Sequence, residues 1–183
     1  NITKYFYEVS MNGRALSVYT ESPHSYTEHR NKALQFWLKS DAKLREREAE
    51  DYLKGRLNKL DESIRFWTVN QEAGLIRTFP KKKIYSFFLS TEGELASLKS
   101  FNQKSLFNNQ WEALDFLISE LDFSHIHLVI RGHPHFANTS SSDPFLRKGF
   151  DQFVNSGLIS YIKANDSDDS IALLTISELV FVF

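Results

Sequence analysis

Residues 126–130 read Ile-His-Leu-Val-Ile and are followed directly by Arg-Gly-His-Pro-His at 131–135. A short, nearly continuous apolar run that ends in a polar loop predicts a strand buried on both faces. Similar apolar runs lie at 84–89, 158–162 and 179–183. We therefore expect four strands that lie between two helical layers.

Helical patterns separate these four runs. Apolar residues line one side of 109–121, a second helical stretch spans 143–157, and a short third one spans 168–177. Residues 81–183 thus alternate between strand and helix. Such alternation indicates an α/β domain with a parallel, doubly wound sheet and helices on both faces.

Residues 1–78 have a different composition. The run 41–60 has the apolar spacing of a solvated helix with one apolar face. Before it, 4–10 and 14–20 alternate like two short strands joined by a hairpin. We expect 1–78 to be a mainly helical segment, either the remainder of an N-terminal domain or a linker from it, and 79–183 to form the α/β domain.

Charge and composition exclude several classes of protein. The chain has 183 residues, with 22 Lys and Arg against 23 Asp and Glu, so its formal net charge is -1. No basic field is present to hold a nucleic-acid backbone, which disfavours a general DNA or RNA binder. The absence of cysteine excludes disulfides, thiolate nucleophiles and cysteine zinc sites. No apolar run is long enough to cross a bilayer.

The loop after the first apolar run is a candidate binding element, because ligands of parallel sheets bind beyond the carboxyl ends of the strands. It contains Ser90, Thr91 and Glu94. Hydroxyl and backbone N–H groups there can receive phosphate or sugar oxygens, and the acids suit sugar hydroxyls better than a bare phosphate. On spacing alone, a polar turn without a ligand is favoured. Neither the P-loop motif nor the dinucleotide motif occurs.

The loop after 126–130 carries Arg131 and His133. An Arg at the end of a buried strand costs free energy unless an anion lies beside it. Pro134 stiffens the loop, and the imidazole of His133 can donate to a phosphate oxygen. Alternatively, Arg131 pairs with a structural carboxylate and His133 only packs. The residues alone leave both interpretations open.

Four histidines form two His-x-His pairs, His125 with His127 and His133 with His135. A zinc or iron site needs three or four converging ligands, and no acidic residue has a suitable spacing to either pair. We therefore expect no metal.

Acidic residues precede the helix at 168–177, namely Asp166, Asp168 and Asp169. The default interpretation is structural, since acids stabilise the start of a helix. The alternative is a binding role in which the helix start faces the ligand and Ser170 contributes its hydroxyl.

Four segments resemble, in order and spacing, motifs of the bacterial capsule polysaccharide biosynthesis glycosyltransferases. Residues 87–95 resemble the strand and "SSxxE" loop of that family, and 110–114 resemble its next helix. Residues 128–134 resemble the "hydrophobic-R-x-HP" motif, and 169–180 resemble "DSYxLL…SDLVV". The resemblance implies a GT-B architecture with two Rossmann-like domains, of which the C-terminal one holds most of the nucleotide-sugar donor.

The resemblance also implies roles for individual residues. His133 would contact the donor phosphate, Arg131 would support it, and Ser90, Thr91 and Glu94 would line the cleft. The donor would be linked to CMP or UDP, the acceptor would be a polysaccharide or glycolipid, and no cofactor would be needed. The implied location is cytoplasmic, including peripheral association of the full-length protein with the inner face of the membrane.

The chain departs from the family pattern at several positions. Gly93 stands in place of a second acid, Ile171 in place of an aromatic residue and Glu178 in place of Asp. The chain ends before the family's Gly/Ser-rich phosphate loop, so we expect a truncated domain that does not catalyse transfer alone and whose catalytic base is unassigned. The main alternative is a non-catalytic α/β domain that binds a nucleotide or a partner, and a weaker one is a metal-dependent phosphate hydrolase.

Overall fold

The computed structural model describes residues 6–10, 15–19, 26–58, 69–91, 106–138 and 143–182. Contacts divide the chain into two compact units, Asn1–Trp67 and Thr68–Phe183.

The first unit contains a strand pair and two helices. Strands β1 (Phe6–Ser10) and β2 (Ala15–Tyr19) pair antiparallel, which confirms the two short strands expected there. The expected hairpin residues Asn12 and Gly13 lie outside the described residues. Helices α1 (Tyr26–Lys39) and α2 (Ala42–Leu57) follow. The carboxylate of Asp41 caps α2 by accepting a hydrogen bond from the Leu44 N–H at 2.9 Å.

The second unit contains a parallel sheet. Its strands are β3 (Lys83–Phe88), β4 (Ile126–Arg131), β5 (Ile159–Ile162) and β6 (Leu179–Val182). The order across the sheet is β5-β4-β3-β6, and all three neighbouring pairs are parallel. The α/β, Rossmann-like fold class expected from the apolar runs is confirmed.

Helices cover both faces of this sheet. On one face lie α3 (Gln110–Glu120), α4 (Pro144–Arg147) and α5 (Asp151–Asn155), and on the other lies α6 (Ser170–Ile176). The first face forms the larger core, and its buried members include Phe87, Leu114, Leu128, Ile130, Phe145 and Phe150. The second face packs Leu173 of α6 against Ile84, Val129 and Ile162. Burial on both faces explains why these strands lack a polar side.

Two helical features differ in detail from the pattern in the sequence. The stretch 143–157 forms α4 and α5 rather than one helix, because Gly149 between them adopts a φ of 82° that interrupts the helix. The sequence also predicts that Glu112 reaches back to the N-cap of α3. Asn109 does cap α3, but the Glu112 carboxylate accepts from Asn108 N–H, one residue earlier.

The segment 69–79 has no regular secondary structure and belongs to the second unit. Its Ile76 and Phe79 side chains pack against the α6 face of the sheet. The division therefore falls between Trp67 and Thr68, ahead of the expected boundary at 78/79.

Within the described part of the chain, no helix has both the length and the apolar character that a membrane crossing requires.

Candidate functional site

A cavity of about 250 Å³ lies at the carboxyl ends of β3, β4 and β6. Its walls include Ser90, Arg131, His133 and Ser170. The chain runs from β3 through β4 to β5 on one side, and β6 then lies on the opposite side of β3. The cavity thus borders the point at which the strand order reverses, where open parallel sheets bind their ligands.

Arg131 is a buried cation in the wall of this cavity. It is the last residue of β4 and only 3% exposed. Its Nε donates to the hydroxyl of Ser170 at 3.2 Å, and its Nη1 donates to the carbonyl of Lys163 at 2.9 Å. Burial lowers the pKa of Arg131, although the charges of Asp166 and Asp168 oppose that shift. A guanidinium nevertheless remains protonated at neutral pH, so the cavity wall carries a positive charge.

No carboxylate among the described residues forms an ion pair with Arg131. The two nearby acids, Asp166 and Asp168, form ion pairs with Arg77 instead, at 2.7 and 2.5 Å. The interpretation that Arg131 serves a structural carboxylate is therefore not supported by the described contacts. A buried charge without a counter-ion is costly, and an anion in the cavity would offset that cost.

His133 lies half-buried at the mouth of the cavity. A 3₁₀ helix over Pro134–Asn138 begins immediately after it, and Phe136 N–H donates to the His133 carbonyl at 2.9 Å. The His133 Nδ1 accepts a hydrogen bond from the backbone N–H of His135 at 3.2 Å. A neutral imidazole that accepts at Nδ1 carries its proton on Nε2, so the ring has the chemistry of a phosphate donor.

Gln110, at the start of α3, fixes the loop that carries Ser90. The side chain is 1% exposed. Its Oε1 accepts from the Ser90 N–H at 2.9 Å, and its Nε2 donates to the Ser90 carbonyl at 2.8 Å. The sequence pattern alone predicts no such role for Gln110, and the available signal is a polar residue directly after the helix cap Asn109.

A second cavity of about 240 Å³ also has Ser90 in its wall. Thr91 lines this second cavity rather than the first. Glu94 lies outside the described residues. Of the residues expected to bind a donor, Ser90, Arg131, His133 and Ser170 are therefore brought together around the first cavity, and Thr91 lies in its neighbour.

The acidic residues before α6 form hydrogen bonds with the segment 69–79. Asp169 accepts from the N–H groups of Ile171 and Gly74, and Asp168 accepts from Arg77. Burial acts to raise the pKa of Asp168, but the hydrogen bonds and charge of Arg77 outweigh it and hold that pKa below its ordinary value. These contacts support the structural interpretation of the acids.

At the start of α6, the side-chain hydroxyl of Ser170 is the group that faces the cavity, and its backbone N–H is not. The Ser170 N–H donates to Gln71 Oε1 at 2.8 Å, so this N–H already has a protein partner. What Ser170 contributes to the cavity is its side chain, which also orients Arg131.

Gly132, between Arg131 and His133, occupies a position without room for a side chain. A Cβ there would lie 2.7 Å from the Tyr161 hydroxyl and 3.1 Å from the Ala164 nitrogen. The Tyr161 hydroxyl donates to the Asp143 carboxylate, and burial, reinforced by that bond, raises the pKa of Tyr161. The close approach of Gly132 to β5 and to the segment after it thus fixes the backbone between Arg131 and His133.

The histidine pairs do not form a metal centre in the described part of the chain, where no three His, Asp or Glu side chains are grouped as metal ligands. His127 is buried in β4, with its Nε2 at 2.8 Å from the Ser160 hydroxyl, while His125 is exposed. The rings of His133 and His135 lie 5.0 Å apart.

Comparison with family models, curated proteins and solved structures found no match to this chain.

Proposed function

We propose that this chain is the donor-binding part of a glycosyltransferase that transfers a sugar from a nucleotide-sugar to a growing capsule or surface polysaccharide. The observation that carries the proposal is Arg131, a buried guanidinium in the wall of a cavity at the carboxyl end of a parallel sheet, with no ion-paired carboxylate among the described residues. His133 adds a hydrogen-bond donor to the same cavity. This combination suits the phosphate of a nucleotide.

The chemistry of sugar transfer requires such groups. The acceptor hydroxyl attacks the anomeric carbon, the bond from that carbon to the phosphate oxygen breaks, and the nucleotide leaves with the electron pair. Negative charge then grows on the phosphate, and positive or donating groups held in place beside it lower the barrier. Arg131 and His133 would supply this stabilisation, and we assign no described residue as the base that takes the acceptor's proton.

The motif resemblance supports the same function. Its four segments all lie within 87–180, and the two loops that would bind the donor follow β3 and β4. These strands are adjacent and parallel, with Phe88 paired to Arg131. Both loops therefore meet at one edge of the sheet, as donor binding by these motifs requires.

A binding-only α/β domain is the second candidate. It is favoured by the described lining of the Arg131 cavity, which includes no carboxylate that could act as a general base. Such a domain would hold a nucleotide without transferring a sugar, or would bind a partner without any nucleotide.

Calorimetric titration of the full chain with CMP, UDP and their sugar conjugates tests the proposal. We expect binding, and we expect Arg131→Gln and His133→Ala each to weaken it by about tenfold or more, because each removes a charge-assisted hydrogen bond to phosphate. Lys163→Gln is the matched control, since it removes a positive charge from an exposed side chain next to the site.

Two results would contradict the proposal. One is that no nucleotide or nucleotide-sugar binds the folded chain. The other is that binding occurs but is unaffected by both substitutions, with folding of each variant checked by circular dichroism. Binding of nucleotides together with an absence of sugar transfer by the full-length protein would favour the binding-only domain.

A further inference from the structure

The second cavity adjoins the Arg131 cavity, and Ser90 lies in the wall of both. It is bounded by the loop after β3, the start of α3, the 3₁₀ helix and α4, with Trp111, Phe136 and Arg147 in its wall. We propose that it binds the planar base of the nucleotide whose phosphate lies beside Arg131, an inference that rests on the function proposed above.

The aromatic part of this wall is held by the core. Trp111 is 6% exposed and stacks on Phe150, with ring centroids 5.9 Å apart and an interplanar angle of 28°. Phe136 is half-buried in the 3₁₀ helix. Because Trp111 is almost fully buried, the ring that can stack on a base is that of Phe136, which packs against the core. A ring that is already packed loses little conformational entropy when a ligand arrives, and any nucleobase can stack on an aromatic side chain.

Arg147 adds a cation to the same wall. It is exposed at the end of α4, and within the described residues its guanidinium has no hydrogen bond and no ion pair. The helix that carries it is capped by Asp143, whose carboxylate accepts from Phe145 N–H at 3.0 Å. A planar guanidinium can stack on a base and can donate to its carbonyl oxygens.

Because the two cavities share a wall at Ser90, the simplest interpretation is that a single ligand occupies both. The Ser90 backbone is fixed on both its N–H and carbonyl sides by Gln110, so the partition between the cavities is rigid. At about 250 and 240 Å³, each cavity alone is smaller than the range of about 300–1,000 Å³ typical of ligand pockets. A nucleotide has an anionic phosphate at one end and a flat base at the other. The phosphate fits the Arg131 cavity, and the base fits the second cavity, which has Arg147 in its wall.

The test compares ligands with and without a base. The full chain is titrated with CMP, UMP and ribose 5-phosphate, as wild type and as Arg147→Gln, Phe136→Leu and Arg131→Gln. We expect the first two substitutions to weaken CMP and UMP binding by about tenfold while ribose 5-phosphate is unaffected, because only the base stacks. Arg131→Gln is expected to weaken all three ligands.

Lys148→Gln is the matched control. It removes the same charge from the neighbouring exposed position, and Lys148 does not line the cavity. We expect it to leave the affinity for every ligand unchanged, which separates a local contact from a general loss of positive charge.

The outcomes distinguish the two proposals. If CMP and UMP bind and depend on Arg131 but not on Arg147 or Phe136, the base site is overturned and the phosphate site stands. Equal weakening of ribose 5-phosphate and CMP by Arg147→Gln also overturns the base site. If none of the ligands binds, the proposed function fails and the base site falls with it.

Discussion

At the scale of single residues, burial in the sheet changes the pKa of a titratable side chain, His127. It lies in the middle of the parallel sheet, 3% exposed, with Nε2 at 2.8 Å from the Ser160 hydroxyl and its ring 5.9 Å from that of Phe79. Burial, followed by the nearby charge of Lys82, lowers the pKa of His127 below the ordinary value of 6.5. The imidazole is therefore neutral in the folded protein at neutral pH.

This shift predicts a dependence of stability on pH. Below about pH 6.5 the unfolded chain binds a proton at His127 that the folded protein does not, so the free energy of unfolding falls as the pH drops from 6.5 through the folded pKa. We expect His127→Gln to remove this part of the decline, as measured by urea denaturation between pH 7.5 and 5. His125→Gln, at an exposed histidine two positions earlier, should leave the decline intact. An unchanged pH profile in His127→Gln would contradict the assignment.

The residues of the candidate site that lie at strand ends could be predicted from the sequence, because the apolar runs show where the strands end. Arg131 and Ser90 each follow an apolar run, so a parallel sheet places them at one edge. Gln110 and Gln71 were not predictable, because their hydrogen bonds reach across 20 and 99 positions in the chain. Local patterns contain no information on such distant partners.

At the scale of elements, two ion pairs join chain segments that are 91 and 95 positions apart in the sequence. Arg77 of the segment 69–79 pairs with Asp168, which is only 5% exposed, and Lys83 of β3 pairs with Glu178, which is exposed. The Asp168 carboxylate also accepts from the backbone N–H of Arg77 at 2.8 Å. Buried charge-assisted hydrogen bonds contribute far more to stability than exposed ion pairs do.

We therefore expect Asp168→Asn to lower the free energy of unfolding by on the order of 2 kcal/mol, because Arg77 loses the more buried of its two carboxylate acceptors. Glu178→Gln, the same chemical change in the exposed pair, should alter it much less. Urea denaturation of both variants at pH 7 measures the difference. Equal effects of the two substitutions would show that the contacts of 69–79 with the start of α6 contribute little to the stability of the unit.

The sequence predicted which segments are strands and which are helices better than it predicted where a helix is interrupted. Apolar runs and helical spacing predicted each strand of the parallel sheet and the helices between them, because burial on both faces imposes those patterns. The division of 143–157 into α4 and α5 depends on one backbone angle at Gly149. The contacts group the segment 69–79 with the second unit, whereas the composition change predicts a boundary at 78/79, because irregular chain that is fixed by hydrogen bonds has no periodicity to detect.

At the scale of the whole molecule, the structure places the domain boundary at Trp67/Thr68, whereas the composition of the sequence placed it at 78/79. The residues between these two positions complete the second face of the sheet. Ile76 packs against the cluster of Ile84, Val129, Ile162 and Leu173. A piece that begins at residue 79 would expose this cluster and would leave Asp168 without its cation.

Comparison of two pieces of the chain, 68–183 and 79–183, tests which boundary delimits the folding unit. We expect 68–183 to unfold cooperatively and 79–183 to be less stable by on the order of 3 kcal/mol, because the shorter piece lacks the Ile76 side chain that covers the second face of the sheet and the Arg77 cation that pairs with Asp168. Trp111 is the only tryptophan in either piece and is buried against Phe150, so its fluorescence reports unfolding of the core in urea. Addition of a synthetic peptide of residues 68–78 should restore part of the lost stability of 79–183. Equal stability of the two pieces, with no effect of the peptide, would place the boundary at 78/79 instead.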